Sequence, residues 1–384
     1  MTEDTRTDGH VGRHGTAVAN GPEDDDLDWL SIDWQRIGAD VRRLRQRIFT
    51  ASRDGDQKLV RNLQKLMLRS RANALVSVRR VTELNAGRKT AGVDGSVVVT
   101  AQGKAFLADS VQRHDASWKP KPVKRVHIPK ANGKRRPLGI PVIVDRVKQA
   151  QVVNALEPEW EARFEAQSYG FRPGRGCHDA IQRIFITVRG TSTHRRWVLD
   201  ADLTAAFDRI DHTHLLSALG SFPAKGLVEA WLKAGAVDKG RFAPSEEGTP
   251  QGGVVSPLLL NVALHGMEEA AGVLTRRSGS HAGQTIKGSP VVVRYADVDI
   301  SLLMPSSGLC RGLRGPVAFG LLRGHGGVEK LGIIRWPDQS FSLEPTRERT
   351  DHGQTKKRAG NGAVGALCRW LRGGSGRTGL QIDE

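Results

Sequence analysis

A chain of 384 residues with 38% hydrophobic and 26% charged residues is long enough for about two or three domains with a sizeable core, which excludes a disordered or fibrous protein. Its 58 Lys and Arg outweigh 41 Asp and Glu to leave a net charge of +17, so a polyanion is the expected partner, nucleic acid ahead of an anionic membrane surface. No run of about 18 apolar residues is present, no signal peptide opens the chain, and Cys177, Cys310 and Cys368 lack disulfide or zinc spacing, so a cytoplasmic protein with any metal bound through oxygen is expected.

Residues 1–27 are polar and end near the acidic run Glu23, Asp24, Asp25 and Asp26, the pattern of a disordered leader. Trp34, Ile37, Val41, Leu44 and Ile48 then recur at helical spacing, with Arg42, Arg43, Arg45 and Arg47 largely off that stripe. The arginine row is either a solvated face or a phosphate-contacting one, and the overall charge favours phosphate. A second helical pattern runs from Leu59, Leu63, Leu66 and Met67 through Leu75, Val78 and Val81. The turn at 90–95 follows, where Gly92 and Gly95 permit close backbone approach or positive φ.

Residues 120–141 change character. Two extended, basic segments flank Asn132-Gly133, the pattern of a hairpin carrying Lys124, Arg125, Lys130, Lys134, Arg135 and Arg136. Such a hairpin suits a triphosphate or a template backbone, although an inert surface hairpin has the same composition. A helix over 144–164 follows, then an aromatic and arginine loop in which Tyr169 and Phe171 either stack on bases or pack internally. The next helix, 178–188, turns Ala180, Ile181 and Ile184 inward.

The chain is organised around residues 196–212. Trp197, Val198, Leu199 and Leu203 read as a buried strand that delivers Asp200 and Asp202 to the point where a helix is expected. Asp202 is therefore a helix cap or a ligand for a hard divalent cation, since a carboxylate at that depth needs a partner. Helix is expected over 215–237, broken near 220–223, and Ser256 and Pro257 stand as cap and first-turn residues of a helix over 258–265. A β-rich run at 291–300 carries a second acid, Asp297, to a polar turn. Two strands that each bring an acid to a turn can converge on a pair of metal ions.

Several blocks carry a family resemblance: Ile128-Pro129-Lys130, Arg136-Pro137-Leu138-Gly139-Ile140-Pro141, Ser168-Tyr169-Gly170-Phe171-Arg172-Pro173, Asp202-Leu203 with Phe207-Asp208, Pro250-Gln251-Gly252 and Tyr295-Ala296-Asp297. In this order they resemble a reverse transcriptase. The turn at 90–95, with Gly139-Ile140-Pro141 and Asp145-Arg146, resembles the group II intron-encoded type specifically. The resemblance implies an α+β fold of fingers and palm, the right hand of polymerases, behind a helical N-terminal region. It implies Mg2+ held by Asp202, Asp297 and the carbonyl of Leu203, with Asp202 and Asp297 catalytic. Lys130 and Arg136 would grip the triphosphate, Phe207 would exclude a 2′ hydroxyl, and Gln251 would line the nucleotide pocket. The implied partners are an intron RNA template, a DNA primer or target and dNTPs.

The expected division is a leader to 27, a helical region over 28–118, fingers and palm over 119–300, and a divergent tail over 301–384. The family's third block normally ends in two aspartates, whereas position 298 is valine. Strand alternation then sends Asp299 to the opposite face unless the turn rearranges. The tail holds 16 of the 44 glycines and shows no recognisable thumb or maturase domain, with helical periodicity only around Ala366 to Leu371, as expected of a frame shift near codon 298. The alternative function is a non-catalytic RNA-binding splicing cofactor, or a degenerate inactive copy.

Overall fold

The computed structural model describes residues 27–113, 118–129, 133, 135–189, 195–203, 205–276, 278, 280, 283–296, 299–305 and 328–335. The expected leader up to residue 26, the stretch around Ala366 to Leu371, Lys130, Asn132, Lys134 and Asp297 lie outside them.

Helix α1, Trp34–Arg53, starts where the Asp33 side chain accepts from the amides of Gln35 and Arg36. Its stripe is buried at Val41 and Ile48, while Arg42, Arg43 and Arg47 face solvent. Arg45 departs from the expected row. It turns inward to pair with Glu157 and donates to Asn154 Oδ1 at 3.2 Å, so it joins two helices rather than contacting phosphate.

The second helical pattern is two helices, α2, Gln57–Arg69, and α3, Arg71–Arg79. Ser70 adopts an extended backbone (ψ 126°), and its hydroxyl accepts from the Asn73 amide, so a capping residue inside the run ends one helix and starts the next. Leu59 and Leu66 are accordingly exposed, and Val60, Leu63 and Met67 form the buried face. A wider turn over Arg80–Leu84 leads to the glycine turn. Both expected uses of its glycines occur: a Cβ on Gly92 would lie 2.7 Å from Val142 Cα, and Gly95 has φ +69°. Arg146 fixes this turn by donating to the carbonyls of Pro141, Gly87 and Thr90. Helix α4, Ala101–Gln112, completes the N-terminal layer.

Strands β1, Val123–Pro129, and β2, Arg135–Ile140, form the expected hairpin, in register from Lys124 with Ile140 to Pro129 with Arg135. Helix α5, Ile143–Glu161, is buried along nearly its whole length. It separates two apolar clusters: one holds Trp29, Leu75, Val78 and Leu107, and the other joins α1 and α2 to Leu203, Phe207 and Leu258. One core thus runs from the N-terminal helices to the strand that carries Asp202.

Asp145 on α5 accepts from the indoles of Trp118 (2.9 Å) and Trp231 (3.0 Å) and from the Lys121 amide (3.1 Å). Burial holds its carboxyl above the usual range although the donors pull it down. Asp145→Ala strands three donors in a dry site, and each is worth about 1–3 kcal/mol. Urea unfolding of this variant is expected to show a loss of about 3 kcal/mol or more, and an unchanged midpoint contradicts the role.

The remaining elements follow in order: α6, Cys177–Val188; β3, Arg195–Leu203; α7, His212–Leu219; α8, Lys225–Leu232; β4, Ala236–Asp238; and β5, Arg241–Ala243. After them come α9, Ser256–Ala263; α10, Met267–Ala270; β6, Val291–Tyr295; β7, Asp299–Pro305; and β8, Val328–Arg335. Helix was expected as far as Val237, but Gly235 (φ +78°) stops the chain and its carbonyl accepts from Val123, so residues 236–238 pair with β1 instead. Helix α9 begins at Ser256 itself, with Pro257 in its first turn, and the Ser256 hydroxyl bonds to the Pro250 carbonyl rather than capping an amide. The strands form two four-stranded sheets, β2-β1-β4-β5 and β6-β7-β3-β8.

Candidate active site

The second sheet places the acids. In β3 and β7 Ala201 pairs with Ile300, and in β6 and β7 Ile300 pairs with Arg294 and Asp299 with Tyr295. One step further toward the sheet end therefore sets Asp202, Asp299 and Tyr295 in one row, with Lys330 opposite Asp202 on β8. The connection that contains Asp297 leaves the sheet at the same end.

By register Asp299 lies opposite Tyr295 and in one row with Asp202. The helix-cap reading of Asp202 fails. After the strand Ala205 (φ +52°) opens a short 3-10 turn, Ala206–Asp208, and helix α7 is capped by Asp211, which accepts from the His214 amide at 2.6 Å. The ladder with β8 shifts between Asp202 and Leu203, an irregularity of the kind that re-aims residues beside active sites.

The loop before α9 ties the first sheet to this end. Gln251 accepts from Arg136 Nε at 2.7 Å, and its carbonyl accepts from the Gly139 amide. Gly252 has φ +116°, and a Cβ there would meet the Gly139 carbonyl at 2.7 Å. The Thr249 amide bonds the Phe207 carbonyl, and Phe207 is 4% exposed. A cavity of about 430 Å3 opens beside them, with Arg125, His127, Asp208 and Thr249 in its wall. Burial raises the Asp208 carboxyl, opposed by the charges of Arg125 and Arg136. Of the expected site residues, then, Arg136 and Gln251 are in contact, Leu203 and Phe207 share a core cluster, and Asp202 is placed by register.

Residues 29–111 match the N-terminal domain of reverse transcriptase, and residues 128–307 match reverse transcriptase (RNA-dependent DNA polymerase). The chain carries the two domains of a reverse transcriptase. It is 38% identical over 203 residues to protein YkfC of Escherichia coli (strain K12), a match covering 51% of this chain and 53% of that one. It is 35% identical over 191 residues to the group II intron-encoded protein LtrA of Lactococcus lactis subsp. cremoris, covering 47% of this chain and 31% of that one. The chain thus spans about half, or less, of the curated relatives it matches. The solved telomerase of Candida albicans superimposes over 59% of the chain with a TM-score of 0.37 and 13% identity. The match runs through residue 307, and β7 pairs with β3 and β6 along its length.

The palm sheet rests on residues to which the motif reading gave no role. Gly170 packs on the palm hairpin so closely that a Cβ would lie 2.1 Å from the Ala296 nitrogen. Its carbonyl accepts from Asn261 Nδ2, and Asn261 Oδ1 accepts from Arg294 Nη1, each at 2.9 Å. Arg294 is wholly buried and also donates to Ser168 Oγ at 2.7 Å, and burial pulls its guanidinium down to about 10. The glycine between two aromatics and the arginine inside an apolar strand were the available signals. Tyr169 is packed, whereas Phe171 is 46% exposed.

Among the described residues four non-glycine positions have left-handed backbones; Lys239 lies in the turn between β4 and β5, and Phe171, Ala205 and Ala296 flank the acid-bearing end. Each costs about 1–2 kcal/mol, and such strain gathers where surrounding structure holds a site in one geometry. Among the described residues no His, Cys, Asp or Glu cluster is placed to hold a metal, and no helix is long and apolar enough to cross a membrane.

Proposed function

We propose that this chain is the RNA-directed DNA polymerase of a group II intron, copying intron RNA from a DNA primer or target for retromobility and assisting splicing by binding that RNA. The observation that supports the reading is the register that sets Asp202 in one row with Tyr295, the first residue of the Tyr295-Ala296-Asp297 block. The division into a helical region to 118 and fingers and palm from 119 belongs to the same reading, supported by the gap between the matches at 111 and 128.

An oxygen-only donor set of Asp202, Asp297 and the Leu203 carbonyl suits a hard cation, and sulfur or clustered imidazole is not part of it. Mg2+, when bound there, supplies the Lewis acidity that activates a 3′ hydroxyl and neutralises the leaving pyrophosphate. Lys130 and Arg136 hold the triphosphate. Arg136 is bonded to Gln251 through Nε, so its two amino groups remain for phosphate oxygens. Phe207 would exclude a 2′ hydroxyl of the incoming sugar.

Primer extension on an RNA template tests the reading. Asp202→Ala is expected to lower incorporation at least a thousandfold, since the charge that balances the metal is lost at the reacting centre. Equal incorporation by both proteins removes Asp202 from the site. Salt-sensitive RNA binding with no incorporation at any Mg2+ concentration supports the splicing-cofactor alternative instead.

A further inference from the structure

Phe171 stands where a side chain of its size is unfavourable. Its φ of +60° lies in the left-handed region that bulky residues rarely enter, and glycine would satisfy that backbone without strain. Anchors on both sides impose the conformation. On one side Gly170 is pressed against Ala296 and held by Asn261. On the other, Arg172 is buried, donating to Glu161 (2.8 Å) and to the carbonyls of Glu165 and Ser168. The chain has a single residue in which to reverse between them.

The reversal lays the Phe171 ring against Phe207, with centroids 5.9 Å apart and planes at 67°, an edge-to-face pair. Phe207 is embedded in the core at 4% exposure, whereas Phe171 keeps 46% of its surface in solvent. The exposed ring therefore closes the outer side of a buried one. A ring retained at a position that glycine fits better points to a role for the ring itself.

We propose that Phe171 is a positioning residue for sugar selection: it fixes the angle of the Phe207 ring and forms the outer wall of the pocket for the nucleotide's ribose. The inference rests on the assignment of Phe207 above. It names a second aromatic, contributed by the loop before α6, as a determinant of deoxyribonucleotide preference.

Single-nucleotide extension with a deoxy- and a ribonucleoside triphosphate of the same base tests it. Phe171→Gly suits the backbone and removes the ring. It is expected to lower the ratio of kcat/KM for deoxy over ribo about tenfold, while Phe171→Tyr, which restores the ring, returns the ratio to the wild-type value. A merely structural role lowers both rates alike, and an unchanged ratio in Phe171→Gly overturns the inference. Phe207→Val separates the two readings. If it relaxes the ratio and Phe171→Gly does not, Phe207 keeps its role and the inference fails. If neither variant changes the ratio, or wild type incorporates neither nucleotide, the assignment of Phe207 fails and takes the inference with it.

Discussion

Gly170→Ala is expected to reduce nucleotide incorporation about a hundredfold, although the substitution adds one methyl group and touches no proposed ligand. The new Cβ would lie 2.1 Å from the Ala296 nitrogen, 2.6 Å from its Cα and 2.7 Å from its Cβ, all atoms that cannot swing aside as a flexible side-chain end can. The loop cannot retreat easily either. The Tyr169 amide bonds the Arg294 carbonyl, and Asn261 holds the Gly170 carbonyl. The turn that carries Asp297 must then move by about 1 Å to restore ordinary contact, and a misplacement of that size costs about 10²-fold in rate. The accompanying loss of stability is about 1–3 kcal/mol, as for other overpacked sites. Single-turnover primer extension beside urea unfolding checks both. Gly226→Ala in α8 is the control, since a Cβ there meets nothing within 4 Å. A wild-type rate for Gly170→Ala means that the turn does not depend on this contact.

The parts of the fold legible in the sequence are those fixed by local pattern. The stripe of α1, the hairpin of β1 and β2 and the strand that ends at Leu203 follow from spacing and turn chemistry, and the structure has each of them. What escaped depends on partners far along the chain. Ser70 looks like a polar residue inside a helix until Asn73 is seen to need its hydroxyl. Arg45 looks like one of a row until Glu157, 112 residues away, pairs with it. The site divides in the same way. Arg136, Phe207 and Gln251 lie in recognisable blocks, whereas Arg294 and Asn261 matter through each other, across 33 residues.

Asn261→Leu is expected to destabilise the protein by about 3–5 kcal/mol, and more than Arg294→Met does. The ordering follows from what each substitution leaves behind. Arg294 is wholly buried, and its Nε has no partner among the described residues, so Asn261 Oδ1 and Ser168 Oγ are the hydrogen-bond partners of a desolvated charge that the carboxylates of Glu165 and Glu268 also favour. Removing Asn261 strands that charge and also the Gly170 carbonyl, and an uncompensated buried ion costs about 3–5 kcal/mol. Arg294→Met removes the charge together with its desolvation and leaves only neutral groups short of a partner, at about 1–3 kcal/mol. Burial lowers the Arg294 guanidinium only to about 10, so the group is still charged at neutral pH and the comparison can be made there. Urea unfolding of the two variants measures the order, and a larger loss for Arg294→Met means that the guanidinium is stabilising in its own right. Function adds a second readout, because β6 runs from Arg294 directly into the block that bears Asp297, and Asn261 is the side chain that joins this strand to the Gly170 loop beneath it. Asn261→Leu is therefore expected to lose incorporation at temperatures where the rest of the chain is still folded, since the contact it breaks lies closer to the acid-bearing turn than to the helical core.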